Sequence, residues 1–461
     1  MGNIKKGEQL TLLKAVVDSN SESFRPIHYL GSKLRILEFI GKVIDDIDPT
    51  NSRVCDLFSG SGTVSQFLSK NRPVTAIDIQ EYSRVLTSSV LKPLSSYYSV
   101  EKVVSECINS EHYKKLMWCL EPMIECEEKF IEEALQGSPF FICDLVENGS
   151  IIKFEEGCCE AETVMLKEAL SKSADRLKES NFIIGPEALT SRYFGGTYFS
   201  FKQSVQLDAL LEYSLSLDIN DRDTFTAAIL SAASDIVNTV GKQFAQPLKP
   251  FDSDGKPKKS IVNKIVTDRK NNAFEIFSLK LESFLGLRKT NFDHRTYRMD
   301  FSDALDNLSK DVKVVYADPP YTRYHYSRYY HVLETICLRD NPKISKTIVK
   351  GKEKFSRGIY RNDRHQSPFS IKTQAKEAFD TLFKKVSQNN SSLVLSYSPF
   401  AEDRKSTPRM QRIEELESLG RQYFNNVKSV SVGQFAHSKL NKTDKNFETN
   451  YSAEILIVCK K

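Results

Sequence analysis

Residues 318–321 read Asp-Pro-Pro-Tyr, directly after the apolar run Val-Val-Tyr-Ala at 314–317. An acid that ends a buried strand stands at the edge of an open sheet where ligands are held. The two prolines stiffen the turn and leave backbone carbonyls without a local N–H competing for them. The Asp318 carboxylate and the Pro319 carbonyl together accept two hydrogen bonds from one amino group. That polarises an aromatic amine whose lone pair is otherwise delocalised into its ring. Tyr321 supplies a face for stacking, and Pro320 fixes the turn between them. Such a set suits attack of an exocyclic amino nitrogen on an activated methyl group. No strong base is needed, because the N–H becomes acidic once the nitrogen is alkylated; positioning and electrostatics do the rest.

A second constellation lies upstream. "DLFSGSG" at 56–62 follows a strand-like run and opens a helix, and Asp78 ends the next apolar run. Small residues at such a turn let backbone approach a ligand, and an acid about 20 residues on suits a pair of ribose hydroxyls. The full G-x-G-x-x-G is absent and Asp56 precedes the loop. An acid there favours a ligand with cationic groups over a pyrophosphate. S-adenosylmethionine, with an ammonium and a sulfonium and no phosphate, fits better than a nicotinamide dinucleotide.

Taken together, "YLGSK" (29–33), "FSGSG" (58–62), Asp78, "SDAL" (302–305) and "DPPY" (318–321) resemble the DNA adenine-N6 methyltransferases of the DNA adenine methylase type, in which the motif on the methionine side of the cofactor comes first. The resemblance covers roughly 24–90 and 291–461. It implies a Rossmann-like, mostly parallel seven-stranded α/β sheet that binds S-adenosylmethionine and flips its target base. It implies cofactor contacts from Tyr29, Gly31, Lys33, Asp56, Phe58, Gly60 and Gly62, ribose binding by Asp78, and an adenine contact from Asp303. Asp318, Pro319, Pro320 and Tyr321 are expected to hold the target adenine. Ser32 stands where a second glycine is common. The implied partners are double-stranded DNA and a cognate restriction endonuclease. RNA base N-methylation and a non-catalytic DNA-binding subunit of a defence complex are the alternative readings.

Beyond the motif, Arg323, Tyr324, His325, Tyr326 and Arg328 interleave aromatics with cations, a pattern that suits stacking and phosphate contact around an everted base. Lys33 joins them as a residue near that base. His325 and His331 lack the further ligands that a zinc site needs. Ser396 and Tyr397 end a later strand on the same edge and are candidates for the wall of a base pocket.

These residues need a scaffold. Strand-like runs opening at Arg53, at 73–80, in "TYRMDFSDAL" (296–305) and in "KVVYADPPY" (313–321), with others at 391–400 and at the chain's end, suggest one doubly wound domain. We divide the chain into a leader (1–20), a first part of the domain (21–95), a mainly helical insertion for target recognition (96–290) and a second part (291–461). Within the insertion, 101–170 carries sixteen acidic against six basic residues, a net of −10, and is expected to face away from a polyanion. Two basic stretches, 242–270 and 339–365 (the latter +6), are candidates for polynucleotide contact. The aromatic run 192–203, with its paired glycines, is expected as a hairpin or loop near the substrate.

The bulk numbers exclude more than they assign. A formal charge of +5 over 461 residues is mild. Nine cysteines, an odd number without a C-x-x-C pair, argue for reduced thiols and a cytoplasmic protein rather than a disulfide frame or zinc site. No apolar run approaches a membrane span of about 18 residues. One catalytic motif set per chain fits action as a monomer.

Overall fold

The computed structural model describes residues 24–461 except 32, 95–97, 324, 350, 399–408 and 432–453. Three expectations therefore fall on residues outside those described: the leader, Ser32 and Tyr324. Seven strands form one sheet in the order β3-β2-β1-β4-β7-β9-β8. They are β1 (Arg53–Asp56), β2 (Val74–Asp78), β3 (Arg295–Arg298), β4 (Val312–Ala317), β7 (Ser392–Tyr397), β8 (Asn426–Ser431) and β9 (Ile455–Lys460). The first five named run parallel, and β9 is antiparallel to both neighbours, β7 and β8. A separate antiparallel hairpin joins β5 (Lys346–Val349) to β6 (Lys352–Phe355). The expected α/β sheet with a closing antiparallel hairpin is present.

The central strands are apolar along their whole length because both faces are covered. Side chains alternate: Val54, Val74, Ala76, Val314 and Tyr316 join one apolar cluster, while Cys55, Ile77, Val315 and Ala317 join another. The second face is covered by α9 (Phe301–Asp306), α11 (Ala375–Gln388) and α12 (Ile413–Gly420). The first carries α1 (Leu37–Ile47), α2 (Thr63–Leu68), α3 (Glu81–Leu91) and α10 (His331–Leu338).

Between β2 and β3 every regular element among the described residues is helical. The longest is α4 (Glu111–Leu135), which packs on α5 (Val164–Glu179). α7 (Ile219–Ile236) lies against α3, with α6 (Phe201–Leu215) and α8 (Ala273–Leu285) beside it. The insertion has its own apolar cluster around Leu116, Phe130, Leu170 and Ile265. Its other helices share the sheet's cluster through Leu207, Phe225, Ile229 and Phe277.

One expectation is corrected here. Residues 192–203, expected as a hairpin or loop near the substrate, belong to the core: Arg192, Tyr193, Phe194, Tyr198, Phe199 and Phe201 are all buried. The paired glycines make the tight passage into α6, whose start is closed by a reciprocal Ser200–Gln203 capping box. Gly196, at φ +76°, has no room for a Cβ, which would stand 2.7 Å from the Gly149 carbonyl oxygen.

Candidate active site

The order of strands reverses between β1 and β4, and ligands settle at the carboxyl edge of such a switch point. A solvent-open cleft of about 1220 Å³ lies there. Its floor is the turn after β1. Ser59 N–H donates to the Ile77 carbonyl (3.0 Å) and Gly62 N–H to that of Ser59 (2.8 Å), which draws the turn against β2. Gly60 has φ +54°, and a Cβ there would meet Tyr29 Oη at 2.7 Å. Only glycine leaves that approach open. Gly62 (φ +78°) begins α2 and backs onto Thr87, behind the cleft.

Among the charged side chains of the lining, acids outnumber the cation Lys33: Asp56, Asp78, Asp300 and Asp318. Asp78 accepts the N–H of Gly60 (3.0 Å) on one oxygen and that of Gln80 (2.9 Å) on the other. Its pKa is still raised, because burial outweighs those bonds. Asp56 accepts from Ser65 Oγ at 2.6 Å. Burial, helped by Asp318 and Asp78, lifts it to about 7 despite that bond.

At the other end, Asp318 leaves β4 beside Lys33, whose Nζ is 3.0 Å from Asp318 Oδ2 and 3.1 Å from Glu454 Oε1. Lys33 is 4% exposed and Glu454 2%. Burial alone lowers the Lys33 pKa, but the two carboxylates overcome it and hold the ammonium well above its usual value. The Tyr321 ring packs against Tyr397 (5.0 Å between centroids), with the Arg409 guanidinium 4.7 Å and Lys33 Nζ 5.8 Å from its centre. Tyr29 stacks on Tyr330 at 5.0 Å and 12°. Tyr330 Oη in turn accepts the Leu30 N–H at 2.7 Å, fixing Tyr29 and Leu30 at the cleft.

Of the residues singled out in the sequence, the cleft gathers Tyr29, Gly31, Lys33, Asp56, Phe58, Gly60, Asp78, Asp318, Pro319, Pro320, Tyr321, His325 and Tyr326. Gly62, Asp303, Arg323, Arg328, Ser396 and Tyr397 are described and are not in its wall. Gly62 stands behind it. Arg323 is exposed. Arg328 turns away, donating to the Ala245 carbonyl and Tyr360 Oη, both at 3.2 Å. Asp303 is also exposed and does not line the cleft, which corrects its expected adenine contact. The reason is where the helix starts. α9 begins at Phe301, so Asp300 is its N-cap, accepting the Ser302 N–H at 2.8 Å, and Asp300 is the acid in the wall.

Sequence reasoning also missed the stretch His365, Gln366, Ser367 and Pro368, which lines the cleft. No periodicity or motif marks it. Burial lowers the pKa of His365, against the pull of Asp300 and Asp78. Glu454 was missed as well. Ser396 was placed in the base-pocket wall, but its hydroxyl instead donates to Glu454 Oε1 at 2.6 Å.

The sequence that builds this cleft has counterparts among known proteins. The family model for D12 class N6 adenine-specific DNA methyltransferases matches residues 29–134 and 256–393, more than half of the chain. The chain belongs to this family. Both matched segments contribute to the cleft, and the unmatched stretch between them lies within the helical insertion. Modification methylase LlaI of Lactococcus lactis subsp. lactis is 23% identical over 436 residues, covering 94% of this chain and 55% of that protein. Type II methyltransferase M.FokI of Planomicrobium okeanokoites is 23% identical over 384 residues, 81% of this chain and 44% of that one. The chain thus spans about half the length of these curated relatives. No solved structure matches it.

Proposed function

We propose that the chain methylates the N6 amino group of adenine in double-stranded DNA, using S-adenosylmethionine, as the modification arm of a restriction system. The observation that carries this reading is the union of Asp318-Pro319-Pro320-Tyr321 and the Gly60 turn in one acid-lined cleft. The donor set fits the cofactor. The carboxylates suit its ammonium and sulfonium, and Gly60, which lines the cleft, presents backbone without a side chain. Asp78 is the seat for ribose hydroxyls, since each of its oxygens keeps lone pairs beyond its one backbone bond. Asp300, with His365 beside it, replaces Asp303 as the group for the cofactor's adenine end. Bound there, S-adenosylmethionine supplies an electrophilic methyl carbon.

The target adenine is everted from the duplex and packs against Tyr321. Its amino group donates to Asp318 and to the Pro319 carbonyl, which turns the nitrogen lone pair toward the methyl carbon. Phosphate contact falls to the basic stretches 242–270 and 339–365. These are joined in the fold: Arg357 donates to the carbonyls of Pro247 (3.2 Å) and Leu248 (2.6 Å).

The test is transfer of labelled methyl groups to unmethylated genomic DNA and, in parallel, to total RNA, with the modified base identified after digestion. We expect N6-methyladenine in DNA. We expect its formation to fall by about 10³-fold or more in Asp318→Ala, with the fold and cofactor affinity kept. Label in RNA alone, or cofactor binding without any transfer, would overturn the proposal.

A further inference from the structure

The ammonium at the base end of the cleft has two seats. Lys33 Nζ lies 3.0 Å from Asp318 Oδ2 and 3.1 Å from Glu454 Oε1. The methylation reading needs the Asp318 carboxylate to accept an N–H from a neutral adenine amine. That carboxylate already holds a cation, and a charge-assisted hydrogen bond is the stronger of the two. The lysine sits on Oδ2, so the base takes that oxygen only if Lys33 yields it. A buried ammonium that yields one carboxylate needs another, because an unpaired charge in such a site is costly.

Glu454 meets that need, and the sheet builds it in. β9 runs antiparallel to β7, with Ser396 paired to Leu456 and Tyr397 to Ile455. The start of β9 therefore arrives at the edge where β4 and β7 end. Glu454, one residue before β9, is carried to the base end of the cleft from a distant part of the chain. Ser396 Oγ donates to the same Oε1 that Lys33 contacts, at 2.6 Å, and fixes its direction. Among the described residues, Asp318, Lys33 and Glu454 set one ammonium between two carboxylates, so one carboxylate can turn to the substrate while the other keeps the lysine.

We propose that Glu454 is a positioning residue for methyl transfer. It receives the Lys33 ammonium when the target adenine takes Asp318 Oδ2, and so clears that oxygen for the amine. This rests on the reading of the cleft as an adenine-N6 methylation site.

The experiment is single-turnover transfer from labelled S-adenosylmethionine to saturating unmethylated genomic DNA, with the full chain. Glu454→Gln keeps the shape and the Ser396 contact and removes the charge. We expect its rate to fall by about tenfold or more, while the Kd values for DNA and for cofactor stay within about twofold. Adding Lys33→Met to Glu454→Gln removes the cation that needs a seat, and we expect the double variant to be faster than Glu454→Gln alone. A merely structural glutamate gives no such rescue. Glu454→Gln as fast as the unchanged chain, or a double variant no faster than Glu454→Gln, overturns the inference. If Glu454→Gln does not fold by circular dichroism, Glu454→Asp decides: retention of the charge predicts a rate within about threefold of the unchanged chain, and a larger loss counts against the proposal. No transfer by the unchanged chain, or undiminished transfer by Asp318→Ala, brings down the methylation reading itself, and is distinguished from failure at Glu454 alone.

Discussion

Gly60 is the tightest point of the cleft. Its backbone sits at φ +54°, and an added Cβ would press on the Tyr29 hydroxyl at 2.7 Å. Gly60→Ala therefore strains the turn and pushes Tyr29 off its stack with Tyr330. We expect a loss of about 1–3 kcal/mol in urea unfolding and a weakening of S-adenosylmethionine binding by about tenfold or more in calorimetry. Asp56 gives a second prediction at this scale. Burial raises its pKa from the usual 3.8 to about 7. A carboxyl whose folded pKa is raised contributes stability that is fully present below its unfolded pKa and is lost as pH rises through the folded one, here between about 4 and 7. Binding runs the other way. A cationic ligand beside Asp56 favours the ionised form and lowers its pKa. Affinity for S-adenosylmethionine should then rise with pH up to about 7 and flatten above it, by at most about tenfold per pH unit. In Asp56→Asn that component of the slope disappears from Kd measured at pH 6, 7 and 8. An unchanged slope would show that the ligand's charge lies elsewhere.

At the scale of elements, α3 is the helix that ties the cleft to the rest of the chain. Its first N–H groups, those of Glu81 and Tyr82, donate to the Glu334 carboxylate of α10 at 3.1 and 3.0 Å. Arg84 binds Asp223 of α7, and Ser83 Oγ holds the Gly60 carbonyl at 2.6 Å. Glu334 thus acts as the cap of a helix some 250 residues away in the chain. Glu334→Ala leaves two inward N–H groups without that acceptor, and we expect it to cost about 2 kcal/mol in urea unfolding. Glu334→Gln, which keeps one acceptor oxygen, should cost about half as much. Such long-range acceptors mark the limit of what the sequence discloses. The central strands were legible because burial on both faces leaves continuous apolar runs, and the glycine turn because backbone at φ above zero leaves a local signature. Asp300 was passed over for Asp303 because a one-turn uncertainty in a helix start decides which acid faces inward. His365 lies in irregular chain without period. Glu454 depends on the antiparallel return of β9, a property of the sheet that no local window contains. The aromatic run at 192–203 misled for a related reason: aromatics beside glycines suit a core corner as well as a binding loop, and only the surrounding helices decide between them.

At the scale of the whole molecule, charge is sorted by how it is used. Many of the basic residues near the cleft are committed internally. Arg361 pairs with Asp340 and Asp363, and Arg357 pairs with Glu147. These cations hold loops together and are poorly placed to release counterions from DNA. Lys249, Lys256 and Lys259 differ: they are exposed, and none pairs with a carboxylate among the described residues. Their loop packs against 357–360 through the Arg357 bonds and the Tyr360 hydroxyl, which donates to the Ala245 carbonyl. If this surface follows the phosphate backbone, each lysine that contacts a phosphate contributes about 0.9 to the slope of log K against log salt. Replacing all three with alanine should therefore lower that slope by about 2–3 and weaken binding to all duplex sequences alike, with cofactor affinity and unfolding midpoint unchanged. Arg361→Ala should do the reverse. It leaves the salt slope in place and lowers stability by about 3 kcal/mol, because Asp340 and Asp363 lose a largely buried partner. Filter binding across a salt series, run beside urea unfolding for the same variants, separates the two classes of cation. An unaltered slope in the triple lysine variant would move the DNA path to another face of the molecule.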